Sequence, residues 1–331
     1  MTKGGVTAAA TRRSMVEYHV MEHSPFRHAF VLTGPTASGK SDLGVEIAER
    51  LGAEIVAMDS MTLYRGMDIG TAKPDMTLRQ RVPHHLLDVL DPWESANVAW
   101  WLGRATECCR VIEGRGRRVL FVGGTPLYLK ALLYGLFLGP EPDPALRRRL
   151  EEEAERLGPH ALHDRLARVD PVAAARLHPN DRRRIIRALE VWEQTGRPVS
   201  AWQQQWKTPG QPGVEGPRCV YLDVPRDELA TRIDARVDRM LAAGWVEEAR
   251  RLRQLPQPLS REARQALGYR EVFAYLDGQL TWEEMRRRIQ ARCRQFAKRQ
   301  RTWFRHLPGC YPVPRELTAV LRQFRIPSGA R

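Results

Sequence analysis

The sequence predicts an α/β protein: a parallel sheet core flanked by helices, with a small all-helical insertion. Three observations predict it. Short apolar runs at Val31–Thr33, Ala53–Met58, Arg118–Val122 and Arg218–Val224 read as buried strands, each brief and bounded by turn residues. A glycine loop joins the first run to an amphipathic stretch, Asp42–Leu51, in the strand–loop–helix order of a parallel sheet. Between the third and fourth runs, charged helical sequence extends from Ala145 to about Thr195 with no strand pattern in it.

The glycine loop comes first and organises the rest. Val31-Leu32-Thr33 runs into Gly34-Pro35-Thr36-Ala37-Ser38-Gly39-Lys40-Ser41, a Gly-x-x-x-x-Gly-Lys-Ser pattern with the flanks a phosphate-binding loop requires. Backbone N–H groups of such a loop point inward, the helix N-terminus adds positive potential, and Lys40 supplies a full charge to a phosphate. Ser41 can place its hydroxyl on a Mg²⁺ ion bridging the phosphates. The core is therefore P-loop NTPase-like, and every residue from Gly34 to Ser41 is a candidate phosphate ligand. The loop alone leaves open which phosphorylated molecule is held.

The second strand ends at Asp59-Ser60. Ligands of an open parallel sheet bind beyond the carboxyl ends of its strands, which sets Asp59 beside the loop. Met61–Pro74 is glycine-rich and aperiodic and reads as a functional loop. His84–Leu90 reads as a further strand, and Ala96–Gly114 as a helix. The strand Arg118–Val122 ends at Gly123-Gly124-Thr125, where many P-loop nucleotidases carry a Mg²⁺-binding Asp. Glycine there counts against an ordinary ATPase. The break Gly139-Pro140-Glu141-Pro142-Asp143-Pro144 opens the helical insertion, and Lys207–Pro217 reads as the linker back to the sheet. The expected organisation is a disordered extension at 1–27, a discontinuous catalytic core at 28–139 and 217–313, a helical insertion at 140–216 and a tail at 314–331.

Composition narrows the class. With 331 residues, 43% of them apolar and 28% charged, the chain is expected to be a soluble globular protein. No apolar run approaches the roughly 18 residues of a membrane span. The first 26 residues lack the continuous apolar core of a secretory signal. The five cysteines form no C-x-x-C pair, so neither a zinc site nor a disulfide framework is suggested, and the cytoplasm is the expected setting. A net charge of +14 favours a polyanionic partner, nucleic acid ahead of membrane, over a merely basic surface. That charge concentrates in the last long helix, about Thr281–Leu307, where nine Arg and Lys residues oppose only Glu283 and Glu284. Ile289, Phe296, Trp303 and Phe304 interleave with them, giving one apolar face and basic faces for phosphates.

Taken together, these stretches resemble the tRNA dimethylallyltransferases (tRNA isopentenyltransferases) of the bacterial type. The matching segments are the glycine loop, Asp59-Ser60-Met61-Thr62-Leu63-Tyr64-Arg65-Gly66-Met67-Asp68-Ile69-Gly70-Thr71-Ala72-Lys73-Pro74 and Gly123-Gly124-Thr125-Pro126-Leu127-Tyr128. Further on come Asp170-Pro171, His178-Pro179-Asn180-Asp181, Arg187-Ala188-Leu189-Glu190, Arg232-Ile233 with Arg236, Gly268-Tyr269-Arg270-Glu271 and Lys298-Arg299-Gln300. The resemblance runs in order from about residue 28 to 307. Thr62 stands where many members carry Gln, Pro126 where Met is common, and Asn97 where Ser is frequent.

The resemblance implies a P-loop core interrupted by a helical insertion domain, and prenyl transfer from dimethylallyl diphosphate to N6 of adenosine 37 of tRNAs reading codons that begin with U. It also implies tRNA as a partner, through its anticodon stem-loop; Mg²⁺ near Ser41, no membrane and a monomer are the other expectations. A diphosphate leaving group rather than a hydrolysed nucleotide fits the missing acidic residue after Val122. The exocyclic amine of adenine is a poor nucleophile, so a positioned carboxylate that takes its proton is expected, and Asp59 is the candidate; a helix cap or a Mg²⁺ ligand is the alternative. By resemblance, Arg236 joins Lys40 on the diphosphate, and Thr125 lies near the adenosine and the diphosphate. From the sequence alone, Arg236 reads as a surface residue and Thr125 as a helix N-cap. By resemblance again, Asp59, Ser60, Met61, Thr62, Thr125, Arg183, Arg184, Ile185, Ile186, Arg187, Gln265, Gly268, Tyr269, Arg270, Lys298, Arg301 and Arg305 face the tRNA. Three other readings compete. A small-molecule kinase leaves the basic helix unexplained, an RNA-binding ATPase lacks the strand-end Asp, and prenylation of free adenine nucleotides leaves the insertion without a purpose.

Overall fold

A computed structural model describes residues 26–136, 139–202 and 217–325. In it, β1 (Phe30–Thr33) leads through the glycine loop into α1 (Lys40–Leu51), followed by β2 (Ala53–Ala57), α2 (Met76–Arg81), β3 (His84–His85), α3 (Val98–Gly114), β4 (Arg118–Gly123) and α4 (Pro126–Tyr134). The next helices are α5 (Pro144–Leu157), α6 (Pro159–Val169), α7 (Pro171–Ala174), α8 (Arg182–Thr195) and α9 (Val199–Trp202). The chain then enters β5 (Arg218–Leu222), α10 (Arg226–Ala242), α11 (Trp245–Arg253), α12 (Tyr269–Leu276), α13 (Trp282–Arg305), β6 (Cys310–Val313) and α14 (Leu317–Gln323). The expected linker at 207–217 falls almost wholly outside the described residues, as does the disordered extension, except that Phe26 is buried and meets Phe121 edge-on at 5.6 Å.

All six strands are parallel, in the order β3-β2-β4-β1-β5-β6. Both faces of the sheet are covered, which is why its inner strands are mostly apolar, buried Glu54 of β2 being an exception that pairs with His85 and Arg115. Alternation along each strand divides the core. Phe30, Leu32, Ile55, Leu120, Val220 and Leu222 pack under α1 and α14, whereas Val31, Val56, Phe121 and Tyr221 pack with Trp101, Tyr128 and Phe304 on the other side. Helix α3 starts at Asn97, whose side chain accepts the Trp100 N–H at 2.9 Å, so Asn serves as the cap there.

Helices α5 to α9 surround a separate apolar cluster that includes Leu150, Leu162, Leu166, Ile185, Ile186 and Leu189. Buried Glu190 ties α8 to the entering chain: it accepts the Asp143 N–H at 2.8 Å, Arg147 at 2.9 Å and Arg187 at 2.5 Å. Residues 314–325 correct the expectation of a tail. Leu317, Val320, Leu321 and Phe324 fall at helical spacing, and Val320 and Phe324 are fully buried, with Phe324 against Phe30 at 4.9 Å.

Candidate functional site

A cavity of about 410 Å³ opens at the carboxyl ends of the strands. Its floor is the glycine loop and the start of α1, which contribute Thr36, Lys40 and Ser41. The ends of β2 and β4 contribute Asp59, Ser60 and Thr125, while α10 contributes Arg236. Met61, Thr62 and Gln265 complete the expected residues that line it. The fold thus brings the three candidate catalytic groups, Asp59, Thr125 and Arg236, around one space with Lys40.

The close approach of two strand ends sets this geometry. A Cβ on Gly123 would fall 2.1 Å from the Met58 carbonyl, so only glycine lets the end of β4 lie against the residue before Asp59. The Thr33 hydroxyl donates to the Gly123 carbonyl at 2.7 Å and fastens β1 to the same point. Thr125 occupies the N-cap position of α4, yet its side chain makes no cap. Its hydroxyl oxygen instead accepts the Ser60 N–H at 3.1 Å, linking the two segments that flank the reacting space. Asp59 accepts the Met61 N–H at 2.9 Å through one carboxylate oxygen, which fixes its orientation.

The cationic side is dense. Lys40 donates to the Pro35 carbonyl at 3.3 Å. Its ammonium is held down to about 8, first by loss of hydration at the cavity floor and then by Arg236, with Asp59 opposing. Burial likewise lowers Arg236 from its ordinary value, with Cys293 and Asp59 opposing, and its guanidinium donates to the Thr36 hydroxyl at 3.4 Å. Two adjacent cations, neither in an ion pair among the described residues, make a site for a multiply charged anion. The Ser38 and Thr62 hydroxyls are buried with no hydrogen-bond partner among the described residues.

The loop from Met61 to Pro74 forms one wall. Lys73 pins it from inside, donating to the Tyr64 carbonyl, to Asp68 at 2.6 Å and to Asp88 at 2.5 Å. The basic helix α13 contributes Cys293, Phe296, Arg299 and Gln300 to the opposite side. Lys298 is exposed beside them, whereas Arg301 and Arg305 turn toward Asp223 at 3.6 and 3.4 Å.

Four residues expected at the RNA surface are corrected. Ile185 and Ile186 are 0% and 4% exposed, because they lie on the face of α8 that fills the helical cluster. Arg183 and Arg184, on the other face, are exposed. Gly268 and Tyr269 are buried behind the cavity wall, while Gln265 and Arg270 reach the surface. Arg187 is half-buried and engaged with Glu190 and the Pro140 carbonyl. Sequence reasoning singled out Gln300 only as part of a motif and passed over Trp245, Met240 and Cys293, whose place in the cavity depends on long-range packing.

The family model of IPP transferases matches residues 62–307. The chain belongs to the IPP transferase family. This member is 50% identical over 277 residues to the tRNA dimethylallyltransferase of Geobacter metallireducens, an overlap of 83% of this chain and 88% of that one. It is 51% identical over 280 residues to the tRNA dimethylallyltransferase of Symbiobacterium thermophilum, covering 83% and 85% of the two chains. Among solved structures, the full-length tRNA isopentenylpyrophosphate transferase of Bacillus halodurans superposes with a TM-score of 0.62 at 40% identity, covering 87% of this chain and 90% of that one. A eukaryotic dimethylallyltransferase acting on tRNA superposes with a TM-score of 0.70 at 27% identity, covering 87% and 73%. The expected sheet-and-helix architecture is therefore that of the family.

Proposed function

We propose that the protein transfers a dimethylallyl group from dimethylallyl diphosphate to N6 of adenosine 37 in tRNAs reading codons that begin with U, and releases diphosphate. The observation that carries this reading is the meeting of Lys40 and Arg236 with Asp59 and Thr125 in one cavity, in a chain half identical to tRNA dimethylallyltransferases. The glycine-loop amides, Lys40 and Arg236 hold the diphosphate and stabilise the charge that grows on it as the allylic C–O bond breaks. The amine of the adenine forms the new C–N bond, and its proton passes to the Asp59 carboxylate. Thr125, held by the Ser60 N–H, orients the nucleoside next to that carboxylate.

The Ser41 hydroxyl, which faces the cavity, suits a hard cation that takes its remaining positions from water and substrate phosphate. Among the described residues no cluster of three or more His, Cys, Asp and Glu would hold a metal without the substrate. Bound near Ser41, Mg²⁺ would neutralise charge on the leaving diphosphate.

A reacting base must leave the anticodon-loop stack to reach a recessed prenyl carbon. Arg183, Arg184, Gln265, Arg270 and Lys298 are exposed, and their donors suit RNA phosphates or bases. The deciding experiment incubates the protein with dimethylallyl diphosphate, Mg²⁺ and such a tRNA, then weighs the digested nucleosides. The mass of a prenyl group on adenosine 37 is expected; an unmodified adenosine rejects the reading.

A further inference from the structure

Glu248 sits on α11, one turn beyond Trp245, and is 2% exposed. Its carboxylate accepts four hydrogen bonds. The N–H groups of Asp68 and Ile69 donate to Oε2 at 2.7 and 2.8 Å. That of Gly70 donates to Oε1 at 3.0 Å, and the Tyr269 hydroxyl donates to the same oxygen at 2.6 Å. Three successive amides converging on one anion form a concave nest. Here the anion comes from the same chain.

The groups that Glu248 joins stand behind two walls of the cavity. The loop lines it through Gly70, Thr71, Ala72 and Pro74, and the segment entering α12 lines it through Gln265, Ala266 and Leu267. Contact between them is tight, since a Cβ on Gly70 would come within 2.1 Å of the Trp245 ring nitrogen and 2.5 Å of the Tyr269 ring. Burial, reinforced by the Glu248 charge, holds the Tyr269 phenol protonated far above its ordinary range, so it remains a donor.

We infer that Glu248 is a positioning residue for the target nucleotide, fixing the spacing between loop 68–74 and the Gln265–Leu267 segment. The inference rests on the proposed tRNA prenyl transfer, in which the nucleotide passes between these walls. A carboxylate suits the task because it only accepts, and all four partners donate. A glutamine of the same volume would turn two N–H groups toward donors.

The test compares E248Q, Y269F and the exposed neighbour E247Q on helix α11. For E248Q, kcat/KM for tRNA should fall about tenfold to a hundredfold, as expected when a wall of the reacting space shifts. Y269F removes one of the four donors and should lose less, while E247Q should match the unsubstituted protein. KM for dimethylallyl diphosphate and the calorimetric affinity for inorganic diphosphate should stay within about twofold in every variant. Hydrogen exchange at the amides of residues 68–70 should accelerate in E248Q alone. Unchanged tRNA kinetics with unchanged exchange overturn the inference, as does a parallel fall in diphosphate affinity, which marks general loss of fold. If the unsubstituted protein fails to prenylate tRNA, the proposed function falls; tRNA affinity and amide exchange in E248Q then decide the role of Glu248 separately.

Discussion

Gln300 donates its side-chain amide to the Gly124 carbonyl at 2.6 Å. Its oxygen accepts the Thr36 N–H at 2.9 Å, so one side chain of the basic helix joins the glycine loop to the turn after β4. The residue is 2% exposed, and a Cβ on Gly124 would stand 2.7 Å from its nitrogen. Replacing it with leucine leaves the Thr36 N–H and the Gly124 carbonyl without their shared partner at a nearly buried edge of the cavity. Gln300→Leu should cost about 2–3 kcal/mol of unfolding free energy, read from urea denaturation. The loop and the Thr125 turn lose their common tie, so kcat should fall as well. An unaltered midpoint and turnover would remove Gln300 from this role.

Asp59 separates positioning from proton acceptance. Asparagine at this place can still accept the Met61 N–H that holds the present side chain at 2.9 Å. It cannot take the proton of the attacking amine. Single-turnover transfer by Asp59→Asn should slow by about 10²–10⁴ while the tRNA dissociation constant moves little. A variant that turns over at the normal rate would show that the proton leaves by another route.

Lys40 sets the alkaline limb of donor binding. Its ionisation lies near 8 in the folded protein rather than at 10.5, because the cavity floor withholds water and Arg236 stands close. As pH rises through about 8 the free protein loses a charge the diphosphate needs, so kcat/KM for the prenyl donor should decline above that pH. Lys40→Arg keeps its charge and should extend the plateau, at a lower ceiling because the fork fits the loop less well. Stability moves in the opposite sense. Between about 8 and 10.5 the unfolded chain binds more protons than the folded one, so this lysine makes the fold more stable as pH rises through that window. A donor profile flat to pH 10 would place the titration elsewhere.

The parts legible in the sequence are those with local causes. The glycine loop is written in consecutive residues, and β1, β2, β4 and β5 in short apolar runs bounded by turns. The strand-end rule put Asp59 beside Lys40, and the cavity contains both. Residues whose role comes from a partner far along the chain carry no such mark. Gln300 lies 264 residues from Thr36, and Glu248 lies 180 from Asp68. Before folding, each is one more polar residue on a charged helix. Ile185 and Ile186 fail for another reason. The family resemblance treats residues 183–187 as one RNA-facing block, whereas a 3.6-residue period turns these two to the opposite face of α8 from the exposed arginines. The apolar spacing of Leu317, Val320, Leu321 and Phe324 was also present in the sequence, in a segment too short for periodicity alone to decide.

Glu190 gives a test that leaves the cavity out. It is fully buried in α8 and accepts from the Asp143 N–H, Arg147 and Arg187, so it fastens the start of α5 to the middle of the helical cluster. Arg147 and Arg187 are each 31% exposed in their side chains, and water can replace part of what they lose. Glu190→Ala should therefore cost about 2–3 kcal/mol, less than the loss of a partner from a fully buried pair. The cost should fall on α5 to α9: proteolysis within residues 144–199 should accelerate, and tRNA affinity should drop. Diphosphate affinity at the glycine loop should hold, because neither Glu190 nor its partners line that cavity. Equal losses of tRNA and diphosphate binding would mean that the helical cluster and the sheet do not unfold separately.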